Sequence, residues 1–344
     1  MKVAVYYTNS DVRIEEMPKP EIGEGELLVK VMASGICGSD VMEWYRVKKA
    51  PLVLGHEVAG IVEEVGKGVK GFQMGDRVVV THHVPCDVCH FCSSGVETMC
   101  ETLRTTKFYP GGFAEYLRVP KINVEKGTLR LPPDISFDEG TFVEPLGCVV
   151  RGQRKIGVET GQTVLVLGSG ISGLLHIQLA KARGVGRVIA TDVNPFRLNA
   201  AKELGADVVI NAKDDVPARV LEENNGKPVD RVIVCTGAPS AIKQAFSAVD
   251  RGGTILFFAP TEKGVEIPIH VDELWMNEVT LTTSYGAVKK DLERALELIE
   301  KGEINVGDMI THRLKMSETE KGFKIFTDGR DSIKVIINPH RQDC

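Results

Sequence analysis

The sequence predicts an α/β protein in which a β-rich domain precedes a doubly wound parallel sheet. Its 344 residues exceed the length at which one hydrophobic core usually suffices. Residues 1–150 contain short β-like runs separated by glycine and proline, which is typical of an irregular β domain. From Gly161 onward, apolar strands alternate with helical stretches, as they do where helices connect parallel strands.

The individual elements follow from this periodicity. In the first part we predict strands at 27–32, 58–65, 77–81 and 112–119. In the second part we predict strands at 163–167, 188–190, 208–210, 232–235, 254–258 and 279–283, with helices between most of them. In the C-terminal part we predict helices at 291–301 and 318–327, followed by a strand at 332–337.

Composition narrows the class of protein. The hydrophobic content of 43% and charged content of 26% are ordinary for a globular protein. A net charge of -5 gives no general attraction to nucleic acid or anionic membranes, and no apolar run is long enough to span a bilayer. The first residues lack the apolar core of a signal peptide, so we expect a cytoplasmic protein with reduced thiols. Eight cysteines there favour metal binding or catalysis.

A glycine fingerprint follows the predicted strand at 163–167 and opens a helix. Gly168 permits the tight turn, Gly170 lets a pyrophosphate approach the backbone, and Gly173 lets the helix pack closely on the strand. Ile171 and Ser172 complete the turn at the helix N-terminus, which faces the phosphates. The alternative is a similar turn in a sheet that binds no nucleotide.

Asp192 ends the second strand of this unit, 19 residues after Gly173. A carboxylate there accepts hydrogen bonds from the adenosine ribose and repels a 2′-phosphate, which favours NAD over NADP. Arg197 argues the other way, because a nearby arginine can accommodate that phosphate.

Three further cofactor candidates follow later strands of the predicted sheet. Thr236, Phe258 and Ser284 come at carboxyl ends of strands, where open α/β sheets bind ligands. The alternative is that some of them are ordinary loop residues.

Four cysteines form a compact C-x2-C-x2-C-x7-C pattern: Cys86, Cys89, Cys92 and Cys100. Four thiolates at this spacing suit one tetrahedral ion. The spacing alone is compatible with either zinc or an iron–sulfur cluster. We predict a structural zinc, because no proline pattern follows the last cysteine. Four thiolates close the shell, so this ion would hold a loop.

A second set of donors combines sulfur, nitrogen and oxygen. Cys37, His56, Glu57 and Glu144 could hold a zinc ion that stays open to substrate. Taken singly, each has an ordinary alternative as a core residue, a hydrogen-bonded histidine or a salt-bridge partner.

The segment Gly55–Val69, with the pattern G-H-E-x2-G-x5-G-x2-V, resembles the zinc signature of the medium-chain zinc-dependent alcohol dehydrogenases. The cysteine run at Cys37, the four-cysteine lobe and the glycine fingerprint occur in that family's order, and the resemblance covers essentially the whole chain. The run that begins at Glu144, Glu-Pro-Leu, is similar to that of the polyol (sorbitol-type) and threonine dehydrogenase branch.

The resemblance implies a GroES-like catalytic domain at 1–150 with a structural-zinc lobe at 86–100. It implies a Rossmann NAD-binding domain at 151–286 and a C-terminal return to the catalytic domain at 287–344. It also implies a homo-oligomer, either a tetramer or a dimer, with two zinc ions per chain.

At the catalytic zinc, the resemblance implies ligation by Cys37 and His56, with Glu57 and Glu144 completing or approaching the shell. Zinc lowers the pKa of a bound hydroxyl. Ser39 would begin a proton relay, and hydride would pass to the nicotinamide.

The predicted reaction is oxidation of a secondary alcohol in a polyol, sugar or sugar acid by NAD. One alternative is L-threonine 3-dehydrogenase, and another is a non-catalytic nucleotide-binding or structural relative. The four candidate ligands are all present, which argues against the non-catalytic reading.

Two positions depart from the family pattern. Met42 stands where many members have the histidine that ends the proton relay, and Arg151 stands where the sorbitol and threonine branches tend to have another histidine. Trp44 could stack on a sugar face, and Arg46 or Arg151 could bind a substrate carboxylate. The equally simple alternative is that both arginines are solvated surface charges.

Overall fold

The computed structural model describes residues 1–341, and these form two compact units. The first unit contains Met1–Gly147, Gly286–Gly302 and the chain from Val306 onward. The second contains Cys148–Tyr285 and Glu303–Asn305. Among the helices of the described chain, none is long and apolar enough to cross a membrane.

Sixteen strands lie within residues 1–341. They are β1 (Lys2–Thr8), β2 (Asp11–Glu16), β3 (Leu27–Gly35), β4 (Leu52–Val53), β5 (Glu57–Val65), β6 (Arg77–Val80), β7 (Tyr116–Val119), β8 (Thr128–Arg130), β9 (Thr163–Leu167), β10 (Arg187–Asp192), β11 (Val208–Asn211), β12 (Val229–Val234), β13 (Val249–Phe257), β14 (Thr280–Thr283), β15 (Ile310–Lys315) and β16 (Lys334–Asn338).

Thirteen α-helices lie in the same range, several of them a single turn long. They are α1 (Glu43–Arg46), α2 (His90–Ser93), α3 (Glu101–Thr105), α4 (Lys121–Gly127), α5 (Phe137–Gly140), α6 (Val143–Lys155), α7 (Ile171–Ala182), α8 (Pro195–Glu203), α9 (Val216–Glu223), α10 (Pro239–Ala248), α11 (Val271–Met276), α12 (Lys289–Glu300) and α13 (Thr319–Asp328). Short 3-10 helices occur at Val47–Lys49, Glu97–Met99, Gly307–Met309 and Met316–Glu318.

The first unit is built on a seven-stranded sheet in the order β15-β16-β3-β5-β6-β8, with β7 also paired to β3. A three-stranded sheet, β2-β1-β4, accompanies it. On the central strand β3, Gly35 lies opposite Glu57 of β5 on one side and Ile336 of β16 on the other. The end of β3 therefore brings two distant chain segments to one place.

The second unit is a six-stranded, all-parallel sheet in the order β11-β10-β9-β12-β13-β14. The chain runs outward from β9 to one edge and then returns to build the other half from β12. This change of direction beside β9 is the place where open α/β sheets bind their ligands. Buried valine, leucine and isoleucine side chains of β9, β10 and β12 form the core.

The strands predicted from the sequence overlap strands of the structure. The strand predicted at 163–167 is confirmed residue for residue as β9. The terminal strand begins at Lys334 instead of residue 332. The strand predicted at 112–119 is shorter, because only Tyr116–Val119 pairs with β3. The strand β2 lay outside the predicted set, since its DVRIEE sequence is mostly charged.

Candidate functional site

Three donor side chains meet at the junction of β3 and β5. The Cys37 Sγ, a ring nitrogen of His56 and a carboxylate oxygen of Glu57 all lie within 4.8 Å of one another. Cys37 follows the end of β3, and Glu57 is the first residue of β5. Gly55, just before them, has a φ of 91°, and a Cβ there would lie 2.8 Å from the Phe113 nitrogen. The local backbone therefore requires glycine at that position.

Asp40 orients the histidine of this group. Its Oδ1 lies 3.4 Å from His56 Nδ1, so Nε2 is the ring nitrogen left for a metal. Burial alone would lower the pKa of His56, but the charges of Asp40 and Cys37 raise that pKa well above its usual value. Burial would raise the pKa of Asp40, yet His56 and Arg46 hold it below its usual value. A carboxylate behind a ligating histidine is the usual arrangement in metal sites.

Glu57 forms an ion pair with a buried lysine. Its Oε2 accepts a hydrogen bond from Lys334 Nζ, and both side chains are almost completely buried. Glu144 lies near the start of α6, where it lines a small cavity together with Val58 and Thr81. Among the described residues, the three-donor group consists of Cys37, His56 and Glu57 and does not include Glu144.

The donor set fits a zinc ion. Thiolate, imidazole and carboxylate are its ordinary ligands, and three protein ligands leave a fourth position for a substrate or water. The mutual distances below 4.8 Å allow all three donors to reach one ion.

The four cysteines of the 86–100 lobe also converge. All four Sγ atoms lie within 4.8 Å of one another. Individual separations are 3.5 Å for Cys89 to Cys92, 3.6 Å for Cys100 to Cys86 and 4.0 Å for Cys86 to Cys92. Zn–S bonds of about 2.3 Å in a tetrahedron place the sulfurs about 3.8 Å apart. The lobe has the dimensions of a closed four-thiolate zinc site.

The glycine turn between β9 and α7 is shaped for close approach. Gly168 has a φ of 94° and lies against Thr236, since a Cβ on Gly168 would be 3.2 Å from the Thr236 Cβ. A Cβ on Gly173 would overlap the Gly168 carbonyl oxygen. Gly170 instead faces open space, with only an Arg197 nitrogen 4.0 Å from the position of its Cβ. The backbone is thus bare where a pyrophosphate would lie.

Asp192 closes this turn. Its Oδ2 accepts a hydrogen bond from the Ser169 backbone at 2.8 Å, and its Oδ1 accepts one from the Asn194 backbone at 2.9 Å. Both contacts fix the carboxylate at the end of β10. Phe258 directly follows β13, and Ser284 directly follows β14, so both lie at carboxyl ends of strands as predicted.

Known proteins match the chain along its length. Residues 172–301 match the zinc-binding dehydrogenase family, and residues 23–132 match the GroES-like domain of alcohol dehydrogenases. A sorbitol dehydrogenase of Bacillus subtilis is 30% identical, over 99% of this chain and 98% of its own. An L-threonine 3-dehydrogenase of Pyrococcus furiosus is 34% identical, over 97% of this chain and 98% of its own.

The chain belongs to the zinc-dependent medium-chain alcohol dehydrogenase family.

Among solved structures, a zinc-binding dehydrogenase of Sinorhizobium meliloti bound to NADP has a TM-score of 0.86 and 29% identity. The match covers 98% of this chain and 99% of the Sinorhizobium meliloti chain. These matches confirm the predicted family, the fold of a GroES-like and a Rossmann domain, and the class of enzyme, an alcohol or polyol oxidoreductase. They also support zinc and a nicotinamide nucleotide as the cofactors of this dehydrogenase.

In this dehydrogenase, Arg46 contacts the predicted relay residue. Arg46 Nε donates to the Ser39 carbonyl oxygen at 2.8 Å, and its Nη2 donates to the Ser39 hydroxyl at 3.2 Å. The same Nη2 lies 3.6 Å from Asp40. Arg46 is therefore largely engaged within the protein, which limits its freedom to bind a substrate carboxylate. Trp44 is exposed, with its ring 5.9 Å from that of Tyr45.

Arg151 lies on α6 in the second unit and is buried, with 7% of its surface exposed. Burial of this extent argues against a freely solvated surface cation.

Three residues near the metal group had no assigned role in the sequence prediction. Asp40 directly follows the Cys-Gly-Ser run, and an acid at that place is a usable signal. Lys334 stands alone in an apolar strand, which is the signal of a paired buried lysine. His82, two residues after β6, has its ring centroid 4.8 Å from that of His56. No sequence pattern places it there, because β5 and β6 must first pair.

Proposed function

We propose that this dehydrogenase oxidises a secondary alcohol of a polyol, sugar or sugar acid with NAD, and that Cys37, His56 and Glu57 hold the zinc ion that binds the alcohol. The convergence of these three donors within 4.8 Å is the observation that carries the proposal. When bound, zinc supplies a Lewis acid that lowers the pKa of the hydroxyl.

Each residue around the metal group has a distinct task. Asp40 keeps His56 in the orientation that presents Nε2. Ser39 moves the substrate proton, and Arg46 fixes the serine by donating to its hydroxyl oxygen. Because a guanidinium is already fully protonated and Met42 has no proton-accepting group, the relay continues from Ser39 to water or to the cofactor ribose.

The second zinc and the nucleotide sites complete the proposal. Cys86, Cys89, Cys92 and Cys100 hold a structural ion, which gives two zinc ions per chain. The bare turn at Gly168–Gly173 receives the pyrophosphate, and Thr236, Phe258 and Ser284 line the carboxyl edge of the sheet. Glu144 is assigned a supporting place beside the metal group, because it shares a cavity wall with Val58.

NAD is the proposed cofactor, because the Asp192 carboxylate is held at the end of β10 and would repel the 2′-phosphate of NADP. The opposing consideration is Arg197, whose Nε is buried without a hydrogen-bond partner among the described residues. The test is kcat/KM with NAD and with NADP for wild type and for Asp192→Ala. The proposal predicts a preference for NAD that shrinks in the variant. A wild-type preference for NADP would overturn it.

The substrate class is tested with a panel of polyols, aldonates, uronates and L-threonine, followed by NADH absorbance. Turnover of polyols or sugar acids above that of L-threonine supports the proposal, whereas the reverse order supports the L-threonine 3-dehydrogenase alternative. Arg46→Ala and Arg151→Ala, assayed on an aldonate and on its neutral polyol, test charge recognition. Equal losses on both substrates would remove the arginines from substrate binding.

We also propose that the protein is a homo-oligomer and that it is cytoplasmic. The outer strand of the parallel sheet, β14, has partly exposed residues, and the nearby Val271, Trp275 and Met276 are 64–79% exposed. An apolar cluster beside an open sheet edge favours a homo-oligomer, and light scattering would measure its mass. Two thiolate metal sites favour a reducing, cytoplasmic location.

A further inference from the structure

Lys334 is the fully buried lysine at the start of β16, where none of its surface is exposed. Strand pairing explains how it reaches the metal group: β16 pairs with β3, and β3 pairs with β5, so Lys334 and Glu57 meet across Gly35. A Cβ on Gly35 would collide with both the Glu57 carboxylate and the Lys334 ammonium. The glycine at the end of β3 thus provides the space in which the two charged groups meet.

The environment of Lys334 makes Glu57 its essential partner. An isolated buried ammonium is strongly unfavourable, and it is tolerated when it is paired and hydrogen-bonded. Lys334 Nζ donates to Glu57 Oε2, and it lies 5.3 Å from the centroid of the buried Phe142 ring. The ring face adds a favourable cation–π contact but cannot replace a counter-ion.

Glu57 therefore faces two cations, the ammonium and the proposed zinc. One carboxylate oxygen, Oε2, is held by Lys334, while the carboxylate also lies within 4.8 Å of Cys37 Sγ and the His56 ring. The ammonium competes with a metal for Oε2, which makes Oε1 the better ligand. Ligating carboxylates in proteins commonly have such an outer hydrogen-bond partner.

We propose that Lys334 is a positioning residue that restricts Glu57 to one metal-facing oxygen and so preserves a coordination position for the alcohol. This inference rests on the proposed metal site. Without the ammonium, Oε2 is free to join the first oxygen on the metal. The carboxylate, no longer neutralised by the ammonium, would then bind the metal more tightly. The metal would become a weaker Lewis acid.

The test is Lys334→Met, which keeps the length of the side chain and removes its charge. Cobalt(II) is used as the probe, and the spectrum of Cys37→Ser is subtracted to remove the four-cysteine site. The visible absorption should weaken in Lys334→Met as coordination rises from four to five. Zinc release to a chromophoric chelator should slow by about 10-fold, which is the reverse of the usual loss of metal affinity when an outer partner of a ligand is removed. Lys324→Met, at an exposed position of the same unit, should match wild type.

A double-mutant comparison covers the case in which Lys334→Met does not fold. The double variant Glu57→Gln/Lys334→Met contains neither charge, and uncharged replacement of a buried pair is usually tolerated. Since Lys334 is proposed to act only through the Glu57 carboxylate, the double variant should release zinc no more slowly than wild type. Zinc release from the double variant that is slower than from wild type would overturn the inference.

The outcomes separate this inference from the proposed function. A wild-type protein without a Cys37-dependent cobalt spectrum contradicts the metal site itself. A normal wild-type spectrum that is unchanged in Lys334→Met, with unchanged zinc release, contradicts only the role of Lys334. Wild-type behaviour of Lys334→Arg, which retains both a donor and a charge, alongside altered behaviour of Lys334→Met supports the inference.

Discussion

At the scale of single residues, the metal group depends on side chains that are not themselves metal ligands. Asp40 has no exposed surface and contacts both His56 and Arg46. It also accepts a hydrogen bond from the Cys37 backbone at 3.1 Å. One buried carboxylate thus organises both the sulfur and the nitrogen donor.

We predict that Asp40→Asn lowers zinc affinity and kcat by about 10- to 100-fold, because the amide cannot supply the charge that orients and polarises His56. Zinc competition with a chelator and steady-state kinetics measure the two effects. Asp328→Asn, at an exposed site, is the control. Wild-type zinc affinity in Asp40→Asn would contradict this role.

His176 on α7 is a second buried residue with a measurable consequence. Its ring is completely buried against Phe258, at 4.6 Å between centroids, and Gln153 donates to its carbonyl at 2.8 Å. Burial lowers the pKa of His176 to about 3. The folded state therefore keeps a neutral ring where the unfolded chain takes up a proton.

Because the folded pKa lies below the unfolded value, this histidine costs stability as the pH falls from about 6.5 toward about 3. For one proton the slope approaches 1.4 kcal/mol per pH unit. We predict that His176→Gln removes this component, so that urea-unfolding curves of variant and wild type converge as the pH falls. His270→Gln, at an exposed site, is the control. Parallel stability profiles for wild type and His176→Gln would refute the prediction.

At the scale of elements, the β9–α7 turn separates folding from nucleotide binding. Gly173 needs to be glycine because a Cβ there overlaps the Gly168 carbonyl oxygen, whereas Gly170 has open space in front of it. The two glycines are three residues apart and serve different purposes.

We predict that Gly170→Ala keeps the melting temperature of the nucleotide-free protein but weakens NADH binding by at least about 10-fold, since the methyl group occupies the path of the pyrophosphate. Gly173→Ala should lower the melting temperature even without nucleotide, by overpacking worth about 1–3 kcal/mol. Thermal unfolding and NADH fluorescence titration measure both. Equal effects of the two variants on stability would show that the separation is wrong.

The four-cysteine lobe is an element whose packing includes its metal ligands. Cys100, Leu103 and Val288 form a small buried cluster against the other three cysteines. The lobe has little core of its own, so an ion at its centre would replace missing hydrophobic contacts.

We predict that Cys89→Ser reduces the zinc content from about two ions per chain to about one and increases proteolysis within the lobe. Atomic absorption and limited proteolysis measure these changes. Cys148→Ser should leave the zinc content unchanged, because Cys148 lies outside both donor groups. A Cys89→Ser protein with an unchanged zinc content would contradict a structural ion there.

At the scale of the whole molecule, the sequence was most informative where a function restricts the local backbone. The glycine fingerprint, the four cysteines and the Gly-His-Glu run are each contiguous or closely spaced, so these patterns and the family resemblance they carry predicted their chemistry. Lys334 and His82 come near the metal group only through the pairing of β16 with β3 and of β5 with β6. Contacts of that kind depend on strand register, which local patterns do not encode.

The roles of the two glutamates show the same limit. The sequence left Glu57 and Glu144 equivalent as zinc ligands. The register of β3 and β5 brings Glu57 among the other donors, while Glu144 lines a cavity and lies outside the described three-donor group. The proposed choice of Glu57 therefore depends on tertiary structure.

Whether zinc held by Cys37 supports alcohol oxidation is tested by NADH formation from a polyol and sugar-acid panel, using zinc-loaded wild type and Cys37→Ser with zinc counted in both proteins. We expect turnover by wild type with about two zinc ions per chain. We expect Cys37→Ser to retain about one ion, in the four-cysteine lobe, and to lose turnover. Equal turnover by the two proteins, or none by wild type carrying both ions, would contradict this expectation.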